Sequence, residues 1–290
     1  RNEIRLMIAI DNLTKTYGGF KALDNLNLEV HRGEIFGFLG PNGAGKTTTI
    51  RILTTLTKPD SGTARINGYD VATQALRVKQ EFGVVQQHLS LDRSIRVGEI
   101  MELHARLHHI DGSTRKQRIA ELLDFVELSN RTRQLVENLS EGMKRRLMIA
   151  RALIHQPRVL FLDEPTVGLD VQSRRRLWEL VRQMKLNDTT VFLTTHYIEE
   201  AEALSDRVGV MHQGKLIALG TPLDLRLGLG LVTIETMSNG KVHYQHFSDR
   251  EAATAYLQGV PAEVKTIVVR ESNLEDVFVE ITGRKVEENP

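Results

Sequence analysis

The chain contains no cysteine, a single tryptophan, seven prolines, and aromatic side chains at only 5% of its 290 positions. Without cysteine there are no disulfides and no thiolate metal sites, which suits a reducing compartment. No apolar run approaches the ~18 residues needed to span a bilayer, and no signal peptide is read ahead of the first apolar strand. Any membrane part of this protein's work is therefore expected from another chain. An excess of one charge is missing too: 38 Lys and Arg stand against 37 Asp and Glu, for a formal net charge of +1. Such a balance gives no broad electrostatic footprint for nucleic acid or acidic lipid, so no nucleic-acid partner is expected. With 41% apolar and 26% charged residues, the composition is that of an ordinary packed core rather than a disordered chain.

Against this plain background one stretch stands out, Gly40 to Thr48, which reads GPNGAGKTT. Gly40, Gly45, Lys46 and Thr47 satisfy G-x-x-x-x-G-K-[ST], the phosphate-binding P-loop, and a chain of this length meets that pattern by chance only about once in a hundred. An apolar strand (Ile35, Phe36, Phe38, Leu39) leads in and a helical run, Thr49 to Leu56, leads out. Glycines at 40, 43 and 45 let the backbone turn its N–H groups inward toward an anion, and the following helix adds its positive end.

The rest of the chain is punctuated around this loop. From Ile8 to Val30 the pattern is strand-like, with Leu23, Leu26, Leu28 and Val30 close to period two and polar turns at Tyr17-Gly18-Gly19 and His31-Arg32-Gly33. A turn at Lys58 to Gly62 precedes an expected edge strand at Thr63 to Asn67, and Phe82 to Val85 is a further short strand. Val97 to about Asn130 reads as helical, its stripe formed by Ile119, Leu122, Leu123 and Val126. Helix and buried strand then alternate: helix Met143–Gln156, strand Val159–Leu162, a helix striped by Leu177, Leu180, Val181 and Met184, strand Val191–Leu193, helix Ile198–Ser205 and strand Val208–Met211. Continuously apolar strands between helices predict a parallel sheet covered on both faces.

Gly220-Thr221-Pro222 breaks that rhythm, and strand–strand–helix–strand–helix signals follow a Leu/Gly-rich stretch. The expected fold is thus α/β, a P-loop NTPase parallel sheet with an antiparallel N-terminal β-subdomain, a helical insertion and a small α+β C-terminal appendage. The expected domains are 7–222, with the helical part at about 91–152, and 223–290. The appendage is near the size limit for folding alone and should pack on the main body or on a partner.

Asp163 and Glu164 close the apolar strand Val159–Leu162. An aspartate at the carboxyl end of a buried strand beside a P-loop suits Mg²⁺, with the Thr47 hydroxyl as another ligand. Glu164 is placed to orient an attacking water and take its proton. His104 and His108 form an i, i+4 pair with His109 next to them, but no third metal ligand is evident, so a solvated or partner-facing helix is expected there.

Together these features resemble the ATP-binding-cassette family over Ile8 to about Pro222. The resemblance is carried, in the family's order, by Tyr17, GPNGAGKTT, Gln87 after FGVVQ, LSEGM at Leu139–Met143, LFLDEPTVGLD at Leu160–Asp170 and His196 in TTHY. It implies ATP and Mg²⁺ as ligands. Tyr17 would stack on adenine, and Gly40, Asn42, Gly43, Gly45, Lys46, Thr47 and Thr48 would hold the phosphates. Thr47, Gln87 and Asp163 would serve the metal, and Glu164, His196 and Gln87 the hydrolysis. Gln86 is the neighbouring alternative to Gln87; the family's spacing from Gly83 favours Gln87. Ser140, Gly142 and Asp170 would complete the site of a second copy, or of a related ATPase subunit, in a head-to-tail dimer. The family's LSGGQ is altered here, with Glu141 for its first glycine and Met143 for its glutamine. Glu141 is expected to face away from the triphosphate.

The segment SNLEDVFVEITGR near the end is similar to the C-terminal extension of drug-, antibiotic- and glycoconjugate-exporter ATPases of the daunorubicin-resistance type. That resemblance implies an ATP-hydrolysing subunit at the cytoplasmic face of the cell membrane, bound to separate integral membrane permease subunits. A weakly hydrolysing, nucleotide-gated module is the alternative that Glu141 raises. A DNA- or ribosome-directed cassette protein is disfavoured because paired cassettes, a long coiled coil and zinc cysteines are missing. A GTPase is disfavoured because no NKxD motif occurs.

Overall fold

The computed structural model describes residues 6–88, 90–238, 241–260, 264 and 266–283. Two twelve-residue strands, β1 (Leu6–Tyr17) and β2 (Phe20–His31), form an antiparallel hairpin across the Gly18-Gly19 turn. β4 (Ser61–Ile66) pairs on the far side of β1, and the two-residue β5 (Tyr69–Asp70) closes the order β2-β1-β4-β5. The strand expected at this sheet's edge, β4, is therefore internal, because the turn after Ile66 adds one short pair.

A second sheet has the order β10-β9-β3-β8-β7-β6, formed by β3 (Ile35–Leu39), β6 (Phe82–Val85), β7 (Val159–Asp163), β8 (Thr190–Thr195), β9 (Arg207–His212) and β10 (Lys215–Gly220). All pairings are parallel except β10 with β9. β3, β7 and β8 are buried at every position. Their alternate side chains feed different cores, as a sheet covered on both faces requires. Phe36, Phe38, Phe161 and Phe192 pack toward α1 (Lys46–Leu53) and the β1–β2 hairpin. Ile35, Leu160, Leu162, Val191 and Leu193 pack toward the helices α3 (Val97–Leu107), α4 (Gly112–Phe125), α5 (Glu141–Ala152) and α6 (Val171–Leu186). The predicted stripe holds, with Leu122, Leu123 and Val126 buried and Ile119 packed beside them.

α1 begins earlier than the hydrophobic pattern implied, at Lys46, because its first turn carries polar residues, whereas α5 starts at Glu141 behind the Ser140 cap, as the LSEGM stretch suggested. α2 (Ala75–Glu81), β10 and α8 (Pro222–Leu229) were not anticipated. In α8 the local signal was available: Thr221 caps the helix, accepting from Asp224 N at 3.0 Å, with Pro222 in the first turn.

Beyond α8, β11 (Val232–Ser238), β12 (Lys241–Phe247) and β13 (Thr266–Glu271) form an antiparallel sheet of order β12-β11-β13. α9 (Arg250–Gln258) covers it through a small core of Val232, Ile234 and Ala253. α10 (Leu274–Thr282) instead buries Leu274, Val277 and Phe278 against Leu39, Val208 and Val210 of the large sheet. Among the described residues no helix is long and apolar enough to cross a membrane.

Candidate functional site

Parallel strands place the loops that follow them at one end of the sheet, and register brings those loops level. Leu39 pairs with Thr195, and Thr194 with Asp163. The P-loop after β3, the Asp163-Glu164 turn after β7 and His196 after β8 therefore share one rim. The order also corrects an expectation: β7 is not next to the P-loop strand, because β8 runs between them. His196 consequently reaches the rim from the strand that lies between those carrying the P-loop and the carboxylates.

The P-loop glycines meet two different demands. Gly40 and Gly45 lie against other chain segments: a Cβ on Gly40 would come 2.5 Å from the Met211 carbonyl, and on Gly45, 2.6 Å from the Ala22 carbonyl. Gly43, at φ +79, would meet nothing within 4 Å and answers only to backbone conformation. No side chain caps the start of α1 and no acid lies in its first turn, so its N–H groups are available to an anion.

Lys46 is 5% exposed. Its ammonium donates to the carbonyls of Gly40 and Pro41 and lies 3.2 Å from a Glu164 carboxylate oxygen. Burial pulls its pKa down, while the Glu164 charge works against that fall. Glu164 has the left-handed φ of 50, unusual for a side-chain-bearing residue. Its N–H is held by the Thr194 carbonyl at 3.0 Å, and the turn aims its carboxylate inward. His196 Nδ1 donates to the other Glu164 oxygen at 2.6 Å, which fixes the imidazole tautomer. Asp163 accepts from the Thr194 hydroxyl at 2.6 Å, and burial raises its pKa.

A cleft of about 290 Å³ opens over this rim, lined by Tyr17, Asn42, Gly43, Gly45, Lys46, Thr47, Thr48, Gln87 and Glu164 among others. Residues expected from four separate stretches of sequence are thus brought to one wall. Tyr17 stands at the mouth, with the Lys15 ammonium 5.4 Å from its ring centroid. Phe20 lines the same cleft, is 63% exposed and was missed. Its signal was the symmetry of Tyr-Gly-Gly-Phe, since the hairpin register sets Tyr17 opposite Phe20.

Ser140, Gly142 and Asp170 do not line this cleft. Ser140 caps α5, accepting from Met143 N at 3.3 Å, and Asp170 caps α6, accepting from Ser173 N at 2.9 Å. The Ser173 N–H and hydroxyl hold the Asp170 pKa down. The two caps touch through Gly142, where a Cβ would lie 2.6 Å from the Ser173 hydroxyl. Glycine at 142 is thus also demanded by helix packing, which motif spacing alone did not reveal. The Glu141 carboxylate lies on the surface and pairs with Lys144 at 2.9 Å. His108, expected to face solvent or a partner, stacks on His155 at 4.0 Å with nearly parallel rings.

A mononucleotide-sized cleft at the carboxyl ends of parallel strands, with a P-loop and a lysine–glutamate–histidine cluster, defines a P-loop nucleoside triphosphatase. A family model described as ABC transporter matches residues 23–167. The chain is 39% identical to the daunorubicin resistance ATP-binding protein DrrA3 of Streptomyces coeruleorubidus, over 97% of this chain and 98% of that one. It is 38% identical to the Nod factor export ATP-binding protein I of Burkholderia orbicola, over 96% and 97% of the two chains. Among solved structures, an ATP-binding subunit of an ABC transporter superposes with a TM-score of 0.72 at 25% identity, covering 95% of this chain and 99% of that one. A dimeric post-hydrolysis cassette bound to ADP and Pi superposes at 0.67 and 28% identity, covering 74% and 98%. The chain belongs to the ABC transporter family and is one of its ATP-binding, ATP-hydrolysing subunits.

Proposed function

We propose that this chain powers export of a small molecule through separate membrane subunits, by closing on ATP as a head-to-tail dimer. Export is supported by the names of the relatives, which are drug-resistance and Nod factor export ATP-binding proteins aligned over nearly their full length. A place at the cytoplasmic face of the membrane follows from that reading, as do permease partners. Dimer closure is supported by the separation of the two clusters. The cleft lacks Ser140, Gly142 and Asp170, and a second copy would bring them. On the same reading residues 7–222 are the ATPase domain and 223–290 an accessory domain.

The observation that carries the chemistry is Glu164, held between Lys46 and His196 at the cleft floor. Lys46, buried and only partly compensated, is matched to a polyphosphate. As it turns to that anion it releases Glu164, which then takes the proton of the attacking water. His196 holds the other carboxylate oxygen through Nδ1, which leaves Nε2 for the γ-phosphate in this reading. Thr47, Asp163 and Gln87 offer a hydroxyl, a carboxylate and an amide oxygen, the hard donors that would hold Mg²⁺, which when bound would supply charge compensation to the polyphosphate. Tyr17 and Phe20 give the adenine a stacking surface. The Glu141–Lys144 pair removes the main objection to an anion at Ser140.

The Glu164→Gln substitution tests this. Hydrolysis should fall about 100- to 1,000-fold while ATP binding persists, and gel filtration should show an ATP-stabilised dimer. Unchanged phosphate release would overturn the base assignment.

A further inference from the structure

Gln87 lies in an exposed segment just past edge strand β6, yet two buried features hold its backbone still. A Cβ on Gly83 would lie 2.3 Å from the Ala152 carbonyl, so β6 runs directly against the end of α5. From the other end of the same helix, Arg145 reaches across, 4% exposed, and its two terminal nitrogens donate to consecutive carbonyls, Gln86 at 2.6 Å and Gln87 at 2.8 Å. Further along α5, Arg151 donates to the Ser90 carbonyl at 2.6 Å and to its hydroxyl at 3.0 Å.

This is an expensive way to hold a loop. The Arg145 cation is buried against neutral carbonyls, its Nε has no partner among the described residues, and Glu141 gives it only a longer-range charge. An arginine kept buried on such terms is tied to what it orients, since a planar fork with two donors fixes two successive peptide units at once. The helix carrying it is capped by Ser140, five residues earlier.

We propose that Arg145 is a positioning residue for Gln87, making α5 and the Gln87 segment one rigid piece. Within a subunit, any shift of the Ser140 end of α5 is then delivered to Gln87 at that subunit's own cleft. The inference rests on the assignment of Gln87 to the metal and water side of the ATP site.

The test is a double-mutant cycle of Arg145→Met and Gln87→Ala in the purified full chain, read by kcat, KM for MgATP and the Mg²⁺ concentration for half-maximal activity. Arg145→Met should lower kcat about tenfold, leave KM within about threefold, and raise the Mg²⁺ requirement about fivefold. In the Gln87→Ala background it should add less than about twofold, because the group it positions is gone. Arg145→Lys, which keeps the charge but not the fork, should lie between wild type and Arg145→Met, and it takes the place of Arg145→Met in the cycle if that variant does not fold. Losses that multiply in the double variant, or wild-type turnover in Arg145→Met, would overturn the role of Arg145 while leaving Gln87 assigned. Wild-type turnover in Gln87→Ala would remove the Gln87 assignment and this inference with it.

Discussion

The two sheets that flank α8 are built on opposite terms. In the large sheet, β3, β7 and β8 are buried at all positions, and aromatic or branched side chains fill the layers on both sides. In the C-terminal sheet, β13 is exposed along nearly its whole length, and among the described residues a small core of Val232, Ile234 and Ala253, with Phe247, Tyr256 and Leu257 packed against it, lies under α9. That second sheet is held largely by polar contacts. Arg270 makes a two-pronged pair with Asp276, 2.7 Å on each side, and a third contact to Glu235. Thr233 meets Ser272, His246 and Asp276 in the same layer. The lesson is mechanical. Three loops that must meet within hydrogen-bond distance arise from fully buried strands, whereas the C-terminal sheet is tied through Asp276 to α10, the helix that packs on the large sheet.

The sharpest way to break this comparison is to truncate one side chain on each sheet in turn. Phe192 is fully buried, 5.3 to 5.6 Å from the rings of Phe36, Phe38 and Phe161. Phe192→Ala should cost about 3–5 kcal/mol and lower the thermal midpoint by about 10 °C. Val269, 51% exposed on β13, should tolerate alanine within about 0.5 kcal/mol. Equal losses in thermal unfolding would show that the two sheets share one cooperative core.

The polar link can be cut next. Asp276→Asn leaves Arg270 with half its partner in a half-buried setting and should cost about 2–3 kcal/mol, after allowance for the solvent that reaches the arginine. The loss should appear as early unfolding of the C-terminal sheet, followed by hydrogen exchange in β11 and β13, with basal ATP hydrolysis retained. Lost hydrolysis would mean that the accessory region acts on the cleft directly.

How much of this was legible beforehand follows the same division. The P-loop and Glu164 could be singled out because the chemistry needs particular residue types next to strand ends, and strand ends are visible as apolar runs; His196 was singled out through the family resemblance. The faces of α4 and α6 were readable from periodicity for the same reason. What could not be read depends on contacts between distant residues. Gly142 is required by Ser173, Arg145 serves the carbonyls of Gln86 and Gln87, and β8 separates β7 from β3, none of which leaves a local pattern. β10 was missed because its half-exposed side chains do not alternate cleanly. His155 was not singled out at all, yet it is the stacking partner of His108.

Acid offers a finer instrument, because the two regions should lose stability in different pH windows. His155 is tucked behind α5, its Nε2 against the Phe82 carbonyl at 3.0 Å and its ring on His108. Burial, with His108 nearby, lowers its pKa to about 4. Because that folded value lies below the ordinary 6.5, the neutral ring stabilises the fold above pH 6.5, and this contribution is lost as pH falls from about 6.5 to about 4. Full burial would make that about 3 kcal/mol; partial solvent access reduces it to about 1–2 kcal/mol. At Asp276 burial alone would raise the carboxyl pKa, but the Arg270 guanidinium and the Asn273 N–H outweigh it and hold the pKa below 3.8. Its contribution is therefore present above that ordinary value and disappears only as pH falls through the lower, folded one. Between pH 6.5 and 4 the ATPase body should soften at the α5–β6 edge while the Arg270–Asp276 link stays intact. Thermal midpoints of wild type and His155→Gln across this range provide the measurement, and the variant should show a flatter slope. Parallel slopes would mean that the acid sensitivity arises elsewhere, and that the stacked pair of histidines is not what separates the two regions.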